Sequence, residues 1–335
     1  MTTLAARVAA PRDLPEPRIE GLTFAPVTVA DTPELTALIA RVEEADRSPV
    51  RTIESEVAEQ FAGSWWQLDR DTRIGRDVDG TPRAWIVSEC QPSDQRTLRA
   101  LSSGGVDPLW RGRGVGTALV RWAQARGRQQ LADDGRDMLG RVAAYLLDTQ
   151  TEAARLYERV GYGPLRYYRD MRRPLDRPLP EPPLTPDVQI VPWTPALDEA
   201  VRVAHNEAFR DHWGSEPRSA EAWQQHQAMF APQWSVLAVS EGQVVGYALC
   251  GRYEQDWPVK GYRSGYADLI GVLRPWRGQG IAVALLTAVM AACRADGMEY
   301  VELEVDTANP SGAHGLYTSL GFEPTTGTVQ WGIEI

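Results

Sequence analysis

Lysine is almost missing from this chain: Lys260 stands alone beside 34 arginines among the 35 basic side chains. We read this as a coding bias that carries no chemistry. Cysteine is scarce as well. Cys90, Cys250 and Cys293 have no CxxC spacing and sit in apolar strand or helix contexts. A disulfide framework is therefore excluded, and buried reduced thiols are expected. Four histidines with no ligand spacing between them give no reason to expect a metal. No apolar run approaches the roughly 20 residues of a membrane span. Residues 1–20 carry Arg7, Arg12 and Arg18 among three prolines and lack the apolar core of a signal peptide. They are expected to be a mobile tail on a cytoplasmic protein.

What is present is a repeat. Arg-Gly-Arg-Gly-Val-Gly at Arg111, Gly112, Arg113, Gly114, Val115 and Gly116 returns as Arg277, Gly278, Gln279, Gly280, Ile281 and Ala282. Each copy follows a strand-like run ending in Gly-Val, at Gly105–Val106 and at Gly271–Val272. Downstream come Leu156–Tyr157 with Gly161–Tyr162, and Leu316–Tyr317 with Gly321–Phe322. Four features in one order, offset by 160 to 166 positions, identify a duplicated domain. A chain of 335 residues can bury two cores. The expected division is a tail over 1–20, a first domain over 21–173, a stiff extended linker over 174–187 with six prolines, and a second domain over 188–335.

The halves differ in charge. Residues 1–173 balance 25 arginines against 25 acidic side chains, whereas residues 188–335 carry nine basic and 17 acidic ones, a net of −8. An acidic half repels a phosphate backbone, which argues against nucleic acid; it suits a cationic small molecule, with a solvated acidic surface as the alternative reading. A monomer and a homodimer are both compatible with the sequence.

Apolar periodicity predicts the same alternation in both halves: strand, two helices, hairpin, strand, helix, strand, helix, strand. In the second half these are a strand over 188–193, helices over 195–209 and 219–230, a hairpin turning at Glu241–Gly242, strand 265–272, helix 280–295, strand 300–305, helix 311–320 and a terminal strand. The expected fold class is α/β, two tandem domains with mixed sheets.

The glycine-rich turn opens a helix in each copy. Free backbone N–H groups and the helix dipole there favour a diphosphate, and glycine lets the ligand approach closely. Arg111 and Arg277, just before the turn, are placed to add charge-assisted bonds. A P-loop would need Lys and Ser/Thr after the last glycine, which neither copy has. A Rossmann fingerprint would need Gly-x-Gly-x-x-Gly, and the spacing here differs.

With these motifs the chain resembles the GNAT superfamily of N-acetyltransferases, whose signature places Arg or Gln five residues beyond a strand-ending Val. Val106 to Arg111 and Val272 to Arg277 keep that spacing, and Asn309, Tyr317, Gly321 and Phe322 match the family's later segment. The tandem arrangement, with Met171 to Pro174 and Asn206 to His212, is similar to the mycothiol synthase group. The resemblance implies acetyl-coenzyme A as cofactor and direct attack by a primary amine of a small molecule. It implies that the cradle holds the diphosphate, that Ile270, Gly271 and Val272 run along the pantetheine and polarise the thioester carbonyl, and that Asn309 bonds the pantetheine. Tyr317 would protonate the leaving thiolate, with packing under the sheet as its alternative role. For the base, Asp268 is the leading candidate, with Glu302 and Glu304 as rivals. His205, Asn206, Asp211, His212 and Trp213 are expected at the acceptor cleft. The first half has Thr149 and Ser102 where the second has Asn309 and Asp268, so catalysis is expected in the second. A non-catalytic acyl-coenzyme A sensor and an acetyltransferase for protein N-termini or lysines are the alternatives.

Overall fold

The computed structural model describes residues 3–182, 187–225, 227–308 and 312–335. Its strands, in chain order, are β1 (Thr23–Ala25), β2 (Thr72–Arg76), β3 (Pro82–Cys90), β4 (Thr97–Val106), β5 (Leu139–Leu147), β6 (Gly163–Pro174), β7 (Gln189–Pro192), β8 (Val236–Ser240), β9 (Gln243–Gly251), β10 (Ser264–Val272), β11 (Tyr300–Asp306) and β12 (Glu323–Glu334). The chain divides into two compact units, Met1–Tyr167 with Thr328–Ile335, and Tyr168–Gly327.

In the first unit, antiparallel β1 to β4 are followed by β5, parallel to β4, and then by residues 328–334 of β12, antiparallel to β5. In the second unit, β7 to β10 repeat the antiparallel run, β11 lies parallel to β10, and residues 168–174 of β6 close the sheet against β11. Each unit therefore takes its closing strand from the opposite half of the sequence. The contact units differ here from the expected boundaries at 173 and 188. A strand's pairing partner depends on distant residues, so alternation alone does not assign it.

The segment expected to be a mobile tail is ordered. Leu4 and Val8, one helical turn apart on one face of the helix Leu4–Val8, are both 0% exposed and pack with Leu98, Leu131 and Val142. Arg7 pairs with Asp137 at 2.9 Å, and Glu16 with Arg73 at 2.6 Å. Two fully buried apolar side chains outweigh the local proline content.

Part of the expected linker is packed too. Pro174 ends β6 opposite Tyr300, and Leu175 is buried. The Arg173 guanidinium donates to the carbonyls of Leu320 and Pro178, each at 2.6 Å. Residues 183–186 lie outside the described residues.

The hairpin at Glu241–Gly242 forms where expected, and its counterpart in the first half turns at Asp79–Gly80, with Gly242 and Gly80 at φ +79° and +81°. The helix expected over 219–230 is shorter, spanning only Ala220–Trp223. Beyond it the chain turns away, Phe230 bridges to Gly251, and the apolar side chains that suggested a helix face a cavity instead.

Candidate active site

The two glycine turns have the same backbone. Gly112 and Gly114 sit at φ +75° and +81°, Gly278 and Gly280 at +75° and +76°. In each turn the second glycine caps a helix, Val115–Asp133 or Ile281–Ala295, in the left-handed region that disfavours a Cβ. A Cβ added at Gly112, Gly114 or Gly278 would meet nothing within 4 Å. Glycine is therefore required here by backbone conformation, and the space above the turn is open. Free helical N–H groups at the mouth of such a turn suit a diphosphate. Val115 and Ile281 anchor these helices by burial, while Gly116 and Ala282 keep the first turn slim.

The arginines do something other than expected. Arg111 and Arg277 turn back onto the strands they follow, donating Nε to the carbonyls of Val106 at 3.2 Å and Val272 at 3.0 Å. Arg111 also pairs with Asp46 at 2.5 Å, and Arg277 bonds the Ala208 carbonyl at 2.7 Å. Their five-residue spacing from Val ties the strand end to the turn. Arg113 lies over the Trp110 ring at 4.7 Å, and Gln279 donates to the Pro275 carbonyl at 3.1 Å.

The strand glycines are there for close packing. A Cβ on Gly105 would lie 2.3 Å from the Trp85 ring, and one on Gly271 2.4 Å from the Tyr247 hydroxyl, each on the neighbouring strand.

Beyond these shared features the units diverge. In the first, β4 pairs with β5 as far as Ser102↔Ala144, without a bulge against β3. In the second, β10 leaves β11 after Tyr266↔Glu302 and bulges against β9 at Asp268, between Ala267 and Leu269. The bulge re-aims Asp268, while Ile270 to Val272, like Gly104 to Val106 in the first unit, lie beyond the last pair with the parallel strand. Asp268 opens onto a cavity of about 250 Å³ lined by Asp198, Arg218, Trp223, Met229, Phe230 and Tyr253, among others. Water reaches the carboxylate there, but protein surrounds its other sides. Burial pushes its pKa up to about 7, against the lowering pull of a Tyr253 hydroxyl bond and of Arg218. That bond, from Tyr253 to Oδ1, is 2.8 Å long.

One rival for the base drops out. Glu302 is buried and accepts from Lys260 at 2.8 Å, Tyr262 at 2.7 Å and Ser264 at 2.7 Å, so it is committed to structure. Glu304, like Asp268, has an exposed face and a carboxyl raised to about 7, here by the protein packed around its other sides and by the charges of Asp170 and Asp306.

Tyr317 is 8% exposed in the helix Ala313–Ser319, with its ring 6.0 Å from that of Phe322. Burial raises its hydroxyl to about 12, so it is protonated across the working range. Its counterpart Tyr157 is likewise buried, and Ser102, the residue that stands in the place of Asp268, donates its hydroxyl to the Ala143 carbonyl at 3.3 Å. Asn309 lies outside the described residues.

The expected acceptor residues scatter. His205 is 3% exposed, its Nδ1 2.8 Å from the Tyr247 hydroxyl and its ring stacked on Phe209. Burial, with Arg218 and His212 adding, lowers it to about 3. This neutral imidazole belongs to the core, where apolar neighbours and one hydrogen bond satisfy it. Asn206 bonds the carbonyl and N–H of Arg218 at 3.1 and 2.9 Å, and so holds a cavity wall from behind. Asp211 pairs with Arg274. His212 places Nε2 3.7 Å from Asp306, and Trp213 is half-buried.

The cavity lining itself carried no motif. Asp198 accepts from the indoles of Trp193 at 3.2 Å and Trp223 at 3.1 Å, which fixes one aromatic wall. The one readable signal was Gly251, a strand-end glycine that marks a close approach.

Known proteins agree with this architecture. Residues 199–322 match the model of the Acetyltransferase (GNAT) family, and residues 70–164 match an Acetyltransferase (GNAT) domain. A mycothiol acetyltransferase of Thermobispora bispora is 34% identical over 59% of this chain and 71% of its own length. One from Frankia alni is 29% identical over 94% of this chain and 95% of its own. The crystal structure of a GCN5-related N-acetyltransferase from Sphaerobacter thermophilus has a TM-score of 0.69 and 30% identity, covering 96% of this chain and 97% of that one. A tandem GNAT protein from the clavulanic acid pathway, at 19% identity, shares the fold with a TM-score of 0.67 over 93% of this chain and 98% of that one. The chain belongs to the GNAT family and, with two such domains in tandem, is an acetyl-coenzyme A-dependent acetyltransferase.

Proposed function

We propose that the second unit transfers the acetyl group to the primary amine of a small molecule, which attacks directly. Acetyl-coenzyme A supplies the acetyl group as an activated thioester. The turn from Arg277 to Ala282 fits its diphosphate, because two left-handed glycines shape it at a helix N-terminus and the space at Gly278 is open. Ile270 to Val272, unpaired with β11, offer backbone groups to the pantetheine amides. Asp268 removes the proton that the incoming amine carries at neutral pH. A carboxylate near 7 is matched to that task, being ionised at working pH yet still basic. Tyr317, protonated at that pH, donates to the departing sulfur.

The observation that carries this reading is the bulge that turns Asp268 into a cavity in the second unit, where the first unit has Ser102 in a regular, unbulged ladder. Asp268 is preferred over Glu304 because it lines the cavity. The cavity's aromatic walls with two carboxylates and one guanidinium suit a compact cationic acceptor. Relatives named mycothiol acetyltransferase put mycothiol-related amines first among candidates. The test is a panel of amines incubated with acetyl-coenzyme A while free thiol is followed. Amine-dependent thiol release that Asp268→Asn removes supports the reading; undiminished release in that variant refutes it.

A further inference from the structure

We infer that Tyr253 is the positioning residue for the Asp268 base, holding one carboxylate oxygen so that the other faces the amine, in space that Gly251 leaves empty. The inference rests on the assignment of Asp268 as base. Three observations on three segments converge. The bulge in β10 lifts Asp268 out of the strand's regular alternation, so its side chain lacks the ordinary support of a paired position. Tyr253, two residues past the end of β9, supplies that support by donating its hydroxyl to Oδ1 at 2.8 Å. The Tyr253 ring is itself braced edge-on against Tyr266, centroids 5.9 Å apart, and Tyr266 donates to Asp170 at 2.9 Å. Finally, a Cβ on Gly251 would lie 2.5 Å from Asp268 Oδ2 and 2.5 Å from the Tyr253 ring. Any larger residue at 251 would displace both partners.

A tyrosine hydroxyl bonded to a carboxylate stabilises its ionised form and leaves the second oxygen as acceptor. Burial alone would push Asp268 further up than it stands. Tyr253 thus sets the pH at which the base becomes competent, as well as its direction. The other groups around Asp268 are Arg218, which also favours ionisation, Asp198 across the same cavity, held by the indoles of Trp193 and Trp223, and two neutral groups, Cys250 on β9 and Tyr266 on its own strand, each of which burial keeps protonated at working pH. None of these replaces a lost hydrogen bond.

The sign follows directly. Without the Tyr253 donor the charged carboxylate is less stable, its pKa rises, and activity that requires the base appears at higher pH. The experiment measures kcat/KM against pH for the wild type, Tyr253→Phe and Gly251→Ala, using an amine the wild type accepts. In parallel, carbon-detected NMR follows the Asp268 carboxyl through its titration. Tyr253→Phe is expected to move the acidic limb and the NMR midpoint upward together by about one pH unit, with the rate recovering on the alkaline side. Gly251→Ala, which displaces the carboxylate sterically, is expected to lose at least tenfold in kcat at every pH. An acidic limb and midpoint unmoved in Tyr253→Phe, while Asp268→Asn is inactive, overturn the positioning role and leave the base in place. Full activity in Asp268→Asn removes the base assignment and this inference with it.

Discussion

Replacing Tyr317 with Phe separates chemistry from packing, because ring and hydroxyl do different things in this structure. The ring is almost fully buried beside Phe322 and belongs to the core of the second unit. Phenylalanine keeps that packing. The hydroxyl bonds no described residue, so its removal forfeits less than the ~1 kcal/mol of an average hydrogen bond. Its pKa near 12 leaves it protonated and able to donate at any working pH. General acid catalysis is typically worth about 10² to 10⁴ in rate. A thiolate is already a fair leaving group, so the lower end applies, near 10²-fold or about 2.7 kcal/mol of barrier. Coenzyme A affinity should hold, since the glycine turn is left intact. Tyr157→Phe is the matched control: its ring is buried in the first unit's core, so the rate should be kept. The assay is steady-state thiol release with an accepted amine, alongside calorimetric coenzyme A binding and a denaturant titration of each variant. Wild-type turnover in Tyr317→Phe would reduce this tyrosine to a packing residue.

Two further outcomes follow from burial and charge. Asp268 binds its proton more tightly when folded than unfolded, so the wild type loses stability as pH rises from the ordinary aspartate range to about 7. Asp268→Asn escapes that loss, and its melting temperature relative to wild type should therefore improve between pH 5 and pH 8; a constant difference would mean the carboxyl is not raised. Leu4→Ala should cost about 2–4 kcal/mol in a denaturant titration, because its side chain is fully enclosed in the first unit's core. A change below 0.5 kcal/mol, roughly a surface effect, would return this segment to the mobile tail first expected.

The features legible in the sequence are those whose chemistry is local. Left-handed backbone at Gly112, Gly114, Gly278 and Gly280 demands glycine, so the turns showed themselves by composition and spacing. The repeat fixed the order of elements, and Ser102 opposite Asp268 marked the units as unequal. Features set by distant contacts were hidden. The exchange of closing strands depends on which edge 168–174 and 328–334 reach. Leu4 and Val8 gave two apolar positions, too few to read as a helix among prolines and arginines. His205 looked like site chemistry, yet its neighbours Tyr247, Phe209 and Trp223 make it core. Tyr253 and Arg218 belong to no motif, since loops that line a cavity obey no periodicity.

Gly280→Leu and Gly114→Leu test the location of catalysis most directly. Both glycines cap equivalent helices at φ +76° and +81°, so leucine imposes a similar strain of about 1–2 kcal/mol at each. Structural damage is thereby matched, and only the consequence for the cradle differs. Turnover of acetyl-coenzyme A with an accepted amine should be abolished in Gly280→Leu and largely retained in Gly114→Leu. The reverse result, with Gly114→Leu inactive and Gly280→Leu active, would place the working site in the first unit and contradict the role given to Asp268 and Tyr317.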